Sequence, residues 1–193
     1  MREHPLPSGE FRRVGERPVY QSTLLHVFVG SYEAPDGSSF ERDIVRHPGA
    51  VVVVPYDDAT GEVVLVRQYR APIEQHLLEI PAGKRDVADE PTEVTAAREL
   101  AEEAALEAGT LTLLGRFFNS PGFSDEESWC YLARDLRPVP GERQGIEEQY
   151  MTIERRPLSA VASLVAAREI TDAKTIVGLF MAQARISSMP LAG

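Results

Sequence analysis

The sequence predicts an α/β sandwich, and three observations carry that prediction. AVVVVPYD (50–57) is a buried-strand run, and VVLVRQYR (63–70) follows it across a turn-forming ATGE. A single long helical pattern, TEVTAARELAEEAAL (92–106), stands between blocks of strand-like sequence. Two amphipathic segments, LSAVASLVAARE and DAKTIVGLFMAQARI, supply terminal helices. Strands, one central helix, more strands and final helices bury their apolar faces best as stacked layers.

Taken in order, residues 18–47 alternate loosely between apolar and polar, with the turn signal PDG at 35–37. LLHVFVGSYE (24–33) and SSFERDIVR (38–46) therefore read as the strands of a hairpin. After the two core strands, LLEIPAGKRDVADEPTEV (77–94) is broken by Gly, Pro and Asp and reads as a loop. The central helix is expected to begin near Thr92, with Thr92 and Thr95 as candidate caps. Beyond Gly109, LTLLGRFF (111–118), the loop NSPGFSDEE and SWCYLARDL (128–136) give strand, loop and strand. RPVPGERQGIEEQ (137–149) is polar and without periodicity, a loop able to close over a ligand. No repeat, low-complexity stretch or interdomain linker interrupts this order.

The chain has 193 residues, enough for a substantial core, with 43% hydrophobic and 26% charged residues, as in soluble globular proteins. No apolar run reaches the roughly 18–20 residues needed to span a bilayer, and no apolar segment follows the basic start. The sole cysteine, Cys130, forms no intrachain disulfide, which fits a cytoplasmic location. Lys and Arg total 20 against 30 Asp and Glu, a net charge of −10. That balance, with no basic run, argues against nucleic acid as a partner. It leaves room for a small phosphorylated ligand held by a few arginines and a cation.

The chemistry concentrates in RELAEEAAL (98–106). Glu99 and Glu103 stand at i and i+4 on one helical face, with Glu102 on its edge. Like charges at that spacing cost a few tenths of a kcal/mol per pair. A divalent cation between them would reverse the sign. Just upstream, PAGK (81–84) can expose backbone carbonyls, and carboxylates with a carbonyl are the oxygen ligands Mg²⁺ prefers.

The stretch from Gly83 through Glu90 to Arg98-Glu99-Leu100-Ala101-Glu102-Glu103-Ala104-Ala105-Leu106 resembles the Nudix box. That resemblance implies an α/β/α sandwich with a mixed sheet, here residues 48–193, preceded by a small N-terminal antiparallel sheet in residues 1–47. It also implies cleavage of a pyrophosphate linkage in a nucleoside diphosphate derivative, with Mg²⁺ or Mn²⁺. Two departures stand out. Gly83 to Glu90 is one residue longer than the family pattern, and Ala105 replaces the Gly that ends the box helix at positive φ. The sequence EEAALEAG offers a way round the second, a helix continuing to Gly109.

VVLVRQYR, LLEIPAGK, SPGFSDE and RDIVRHPGAVVVV resemble the ADP-ribose pyrophosphatase branch. Carried over position by position, Ala82 offers its carbonyl to a metal, and Glu99 and Glu103 are the principal ligands. Glu102 is a shared or second-metal ligand. Arg42 and Arg70 match arginines that hold substrate phosphates, and Pro121 matches the branch's proline after the box. Glu126 is assigned to the terminal ribose or a metal, and Glu79 to the substrate or to support of the loop. Glu90 and Arg98 pair to brace the box. The branch's general base lies on a late loop, where Glu147 is the best match, then Glu148, with Glu102 and Glu126 after them.

On that reading ADP-ribose would give AMP and ribose 5-phosphate. The rival substrates are sugar nucleotides, nicotinamide or flavin dinucleotides and dinucleoside polyphosphates. The rival class is a nucleotide sensor that does not hydrolyse, for which Ala105 is the sole argument. The resemblance further implies a homodimer in which each N-terminal hairpin helps cover the other site and brings Tyr20 to the adenine. A hairpin sheet too small to be stable alone points the same way.

Overall fold

The computed structural model describes residues 9–23, 25–141 and 149–188. The chain divides into two compact units, Met1–His47 with Ser120–Glu126, and Pro48–Asn119 with Glu127–Gly193.

The first unit is a 3-stranded antiparallel sheet of β1 (Arg12–Gln21), β2 (His26–Glu33) and β3 (Ser39–Arg46). The β2–β3 hairpin turns at Asp36, whose carboxylate accepts from Ser38 N at 2.9 Å. β1 was not legible in the sequence. Every one of its residues is exposed, so burial imposes no alternation, and Pro18 is tolerated because β1 is an edge strand. The segment 120–126 is tied to β3 by Val45 N donating to Phe123 O at 2.7 Å. Asp125 adds bonds from Arg46 Nη1 at 2.9 Å and His47 N at 2.8 Å.

The second unit is built on a 7-stranded mixed sheet. Its main path places β10 (Thr152–Pro157), β5 (Glu62–Arg70), β4 (Ala50–Asp57), β9 (Glu127–Pro138) and β8 (Leu106–Phe118) side by side. β4 and β9 pair in parallel; the other pairs are antiparallel. Because β4 is buried from Ala50 to Pro55, its alternate residues face different layers. Val51 and Val53 join Val64, Tyr131 and the apolar side of α1 (Thr92–Ala104). Val52 and Val54 join Leu65, Leu78, Ile80 and the residues of α2 (Val161–Ala166) and α3 (Ala173–Ser187). At Gly178, α3 comes so near the sheet that a Cβ would stand 2.7 Å from Ile80 Cδ1. Among the described residues no helix is long and apolar enough to cross a membrane.

Three local expectations are corrected. The segment read as a loop takes in the end of one short strand and the whole of another, β6 (Gln75–Glu79) on β5 and β7 (Ala82–Lys84) on β4. Pro81 lies between them, so the chain leaves one partner strand and takes up another; the break is real, but both sides are paired. β10 was missed because it is a polar edge strand, TIERRP, with no buried residue and hence no periodic signal. Pro91, not a threonine, is the N-cap of α1, and no side chain caps it. Thr95 Oγ1 donates to Glu90 Oε2 at 2.7 Å, while the Thr92 hydroxyl bonds the Tyr131 hydroxyl at 2.6 Å.

The end of α1 decides between the two alternatives open at Ala105. The helix does not run on to Gly109; it stops at Ala104, and Ala105 takes φ 53 and ψ 41, the left-handed cap conformation. A Cβ in that region costs roughly 1–2 kcal/mol, which Gly escapes. Ala105→Gly is therefore expected to stabilise the fold by about 1 kcal/mol after the extra unfolded-state entropy of Gly is subtracted. In a chain of this size that raises Tm by about 2–4 °C. Calorimetry showing an unchanged or lower Tm would contradict the strain.

Candidate metal and pyrophosphate site

Two stripes run along the inner side of α1. Ala96, Leu100 and Ala104, at successive i+4 positions, pack on the sheet, and the two alanines let the helix approach closely. Thr95, Glu99 and Glu103 form the neighbouring stripe, and all three are buried. The helix thus carries two carboxylates at the edge of the apolar layer, 8% exposed at Glu99 and 6% at Glu103.

β7 receives them. Glu103 Oε2 accepts from Ala82 N at 2.9 Å. Glu99 lies so close to Gly83 that a Cβ there would stand 1.9 Å from its carboxyl carbon. Gly83 is thus a cradle for that carboxylate. The observed contact of Ala82 uses its N–H; the sequence reading assigned its carbonyl.

Arg98 holds the outer side. Its Nη1 lies 2.8 Å from Glu99 Oε1 and 3.2 Å from Glu102 Oε2, and Nη2 lies 3.6 Å from both Glu90 and Asp86. The expected Glu90–Arg98 pair is present, but Arg98 also reaches Glu99 and Glu102. One guanidinium faces four carboxylates, so the group remains net negative. Burial, with the Glu102 charge adding, pushes Glu99 from its ordinary 4.5 up to about 7 although Arg98 opposes the shift.

Among the described residues, no three acidic, His or Cys side chains are arranged to hold a metal ion as they stand. Glu99 and Glu102 are turned toward Arg98 and Glu103 toward Ala82, which accounts for that. The donor set nonetheless fits a divalent cation. Carboxylate oxygens crowd one face of α1, their charge exceeds that of Arg98, and Gly83 leaves the room that the Glu99 carboxylate fills.

A second cluster sits at the end of β5 and β6. Arg70 Nε and Nη2 donate to Glu79 Oε1 and Oε2 at 2.8 and 2.6 Å, a two-pronged pair on a carboxylate only 1% exposed. The Glu79 bond raises Arg70 above the ordinary guanidinium value against the effect of burial, and the charges of Glu103 and Asp172 act in the same direction. Behind Glu79, Lys174 Nζ lies 3.9 Å from its Oε2 and 2.7 Å from Asp172 Oδ1. Asp172 caps α3 by accepting from Thr175 N and Oγ1 at 2.8 and 2.7 Å. Thr175 Oγ1 in turn accepts from Ile80 N at 3.0 Å. This network was missed in the sequence. The Asp-x-x-Thr cap of DAKT was a readable local signal, but its reach to Glu79 spans 95 residues, as Lys174 minus Glu79 in the numbering.

The remaining candidates belong to the first unit. Arg42 is exposed, bonds Glu41 O at 2.7 Å and covers the Phe40 ring at 4.7 Å. Tyr20 is exposed on β1, Pro121 is exposed in the 120–126 segment, and Glu126 N bonds Ser124 Oγ at 3.2 Å. Glu147 and Glu148 lie outside the described residues.

Residues 45–174 match the NUDIX domain. An ADP-ribose pyrophosphatase of Bacillus subtilis (strain 168) is 36% identical over 170 residues, 88% of this chain and 91% of that one. An ADP-ribose pyrophosphatase of Mycobacterium tuberculosis is 36% identical over 175 residues, 91% of this chain and 84% of that one. A methanol dehydrogenase activator of Bacillus methanolicus is 32% identical over 88% of this chain and 91% of its own length. Among solved structures, an ADP compounds hydrolase superposes with a TM-score of 0.81 at 25% identity, covering 92% of this chain and 95% of its own.

Proposed function

This chain belongs to the Nudix family and is a pyrophosphohydrolase, and from that premise we propose that it hydrolyses ADP-ribose to AMP and ribose 5-phosphate in a Mg²⁺-dependent reaction. The observation that carries the reading is the buried Glu99–Glu103 pair seated on Ala82 and Gly83. The choice of ADP-ribose among nucleoside diphosphates rests on the two relatives of that name.

Glu99, Glu103 and Glu102, with the Ala82 carbonyl, would hold Mg²⁺ or Mn²⁺, which supplies positive charge to the pyrophosphate oxygens and acidifies a water. The protein's own groups do the rest. Arg70, its plane fixed by Glu79, pairs with the phosphate oxygens of the bound substrate and offsets their charge. By the same resemblance Arg42 serves as a second phosphate ligand, Glu126 meets the terminal ribose or a metal, Pro121 is the branch's substrate-side proline, and Tyr20 meets the adenine. Glu147 takes the proton from the attacking water, because a carboxylate committed to a cation is a poor base.

Purified protein with Mg²⁺ should be assayed on ADP-ribose, a sugar nucleotide, NADH and a dinucleoside polyphosphate, with products separated by chromatography. The highest kcat/KM on ADP-ribose, with AMP and ribose 5-phosphate formed together, is expected. A clear preference for another compound would replace the substrate, and no turnover of any would favour a sensor. Glu147→Gln should lower kcat about a hundredfold with KM little changed, and Glu148→Gln much less. A reversal between the two would move the base by one position. The proposal includes a homodimer with the N-terminal strands at the partner's site; light scattering that gives 21.3 kDa at micromolar concentration would exclude it.

A further inference from the structure

Helix α3 begins in a way that its own stability does not explain. Asp172 is the N-cap, and Lys174 is the second helical residue. A cation in the first turn faces the positive end of the helix dipole and is disfavoured there. Lys174 is nevertheless folded inward, its side chain 21% exposed, with its ammonium between two carboxylates. One is Asp172 at 2.7 Å and the other is Glu79 at 3.9 Å, the carboxylate that grips Arg70.

The four groups form a chain of alternating charge, Asp172, Lys174, Glu79 and Arg70. Its inner members are anchored. Glu79 is 1% exposed, and the following residue, Ile80, donates its N–H to Thr175 in the same first turn of α3. Burial works to raise Asp172, but the Lys174 charge and the bonds from Lys174 and Thr175 bring it below the usual carboxylate range. Asp172 is therefore charged at neutral pH. If Lys174 lost its charge, Glu79 and Asp172 would be left with Arg70 as their nearby cation. Arg70 would be drawn onto them more strongly and would have less to give a ligand's oxygens.

We propose that Lys174 and Asp172 are positioning residues for pyrophosphate binding, which set the position and the available charge of Arg70 through Glu79. The proposal rests on the reading of Arg70 as a phosphate ligand. It concerns substrate affinity, not the bond-breaking step, because neither residue is placed against the reacting atoms.

The test measures KM, kcat and competitive inhibition by inorganic pyrophosphate for wild type, Lys174→Met, Lys174→Gln and Lys174→Arg, on whichever substrate the panel ranks first. Loss of the charge should raise KM and the pyrophosphate inhibition constant together, by about tenfold, with kcat within about twofold. Lys174→Arg should restore most of the loss. If Lys174→Met folds poorly, the polar and uncharged Lys174→Gln carries the comparison. A role confined to anchoring α3 would lower Tm and leave KM and pyrophosphate inhibition as in wild type, which overturns the proposal. A fall in kcat at unchanged KM overturns it as well. Running the assay on the preferred substrate separates this failure from an error in the choice of ADP-ribose, which the panel alone decides.

Discussion

Glu103→Gln and Glu99→Gln are each expected to lower kcat by about a hundredfold or more, because a charged cation ligand becomes neutral while its shape is kept. Glu103 and Glu99 are 6% and 8% exposed, so neither loss is made good by a neighbouring solvent-facing carboxylate. The two variants should differ in stability. Burial raises Glu99 to about 7, so the folded metal-free protein prefers that side chain protonated, whereas the unfolded chain titrates near 4.5. The sign follows from linkage: the protonated group's contribution is fully present below pH 4.5 and is lost as pH rises through about 7. Glu99→Gln should therefore raise Tm in EDTA at pH 8 by several degrees and at pH 4.5 by little. Glu103 accepts the Ala82 N–H, and Gln can keep that bond through its carbonyl, so its Tm should move less. Mg²⁺ should raise the Tm of the wild type and raise it much less in either variant. Near-normal turnover in both would sink the ligand assignment, and a lower Tm for Glu99→Gln at pH 8 would sink the electrostatic account.

Gly83→Ala should be almost as damaging, through one methyl group. The added Cβ would stand 1.9 Å from Glu99 Cδ and 2.2 and 2.3 Å from its oxygens. The backbone cannot easily retreat, because Gly83 is paired with Val51 in the β4–β7 ladder and Val51 is wholly buried. Glu99 must then leave its place beside β7. Overpacking of this kind costs about 1–3 kcal/mol. Activity should fall about as far as in Glu99→Gln, and the double variant Gly83→Ala, Glu99→Gln should be little worse than either, since both act on one carboxylate. Wild-type kcat in Gly83→Ala would show that Glu99 does not need the cradle. Fully additive losses in the double variant would show that Gly83 acts on something else.

Legibility followed the range of the interaction. AVVVVPYD announced a strand buried on both faces, and RELAEEAAL placed its carboxylates on one side of a helix; both patterns are set by the local geometry of the backbone. The replacement at Ala105 was visible too, but its outcome was not. The sequence allowed either a positive-φ end at Ala105 or a helix running on to Gly109, and the structure ends it at Ala104 and starts β8 at Leu106. The pairing of β8 with β9 along Leu106–Phe118 outweighs one residue's left-handed strain.

The partners of the charged groups were beyond the sequence. By itself it determined the family box, the layered α/β fold, the face of α1 that carries Glu99 and Glu103, and the candidate role of Arg70. Only the tertiary structure decided that β6 and β7 are paired strands, that β10 guards the sheet edge, and that Arg98 reaches Glu99 and Glu102 as well as Glu90. It alone joined Lys174 and Asp172 to Glu79. A repeat every two or 3.6 residues is written in neighbouring letters, whereas a buried carboxylate takes its counter-charge from whichever chain segment packs against it, and packing is settled by the whole core at once.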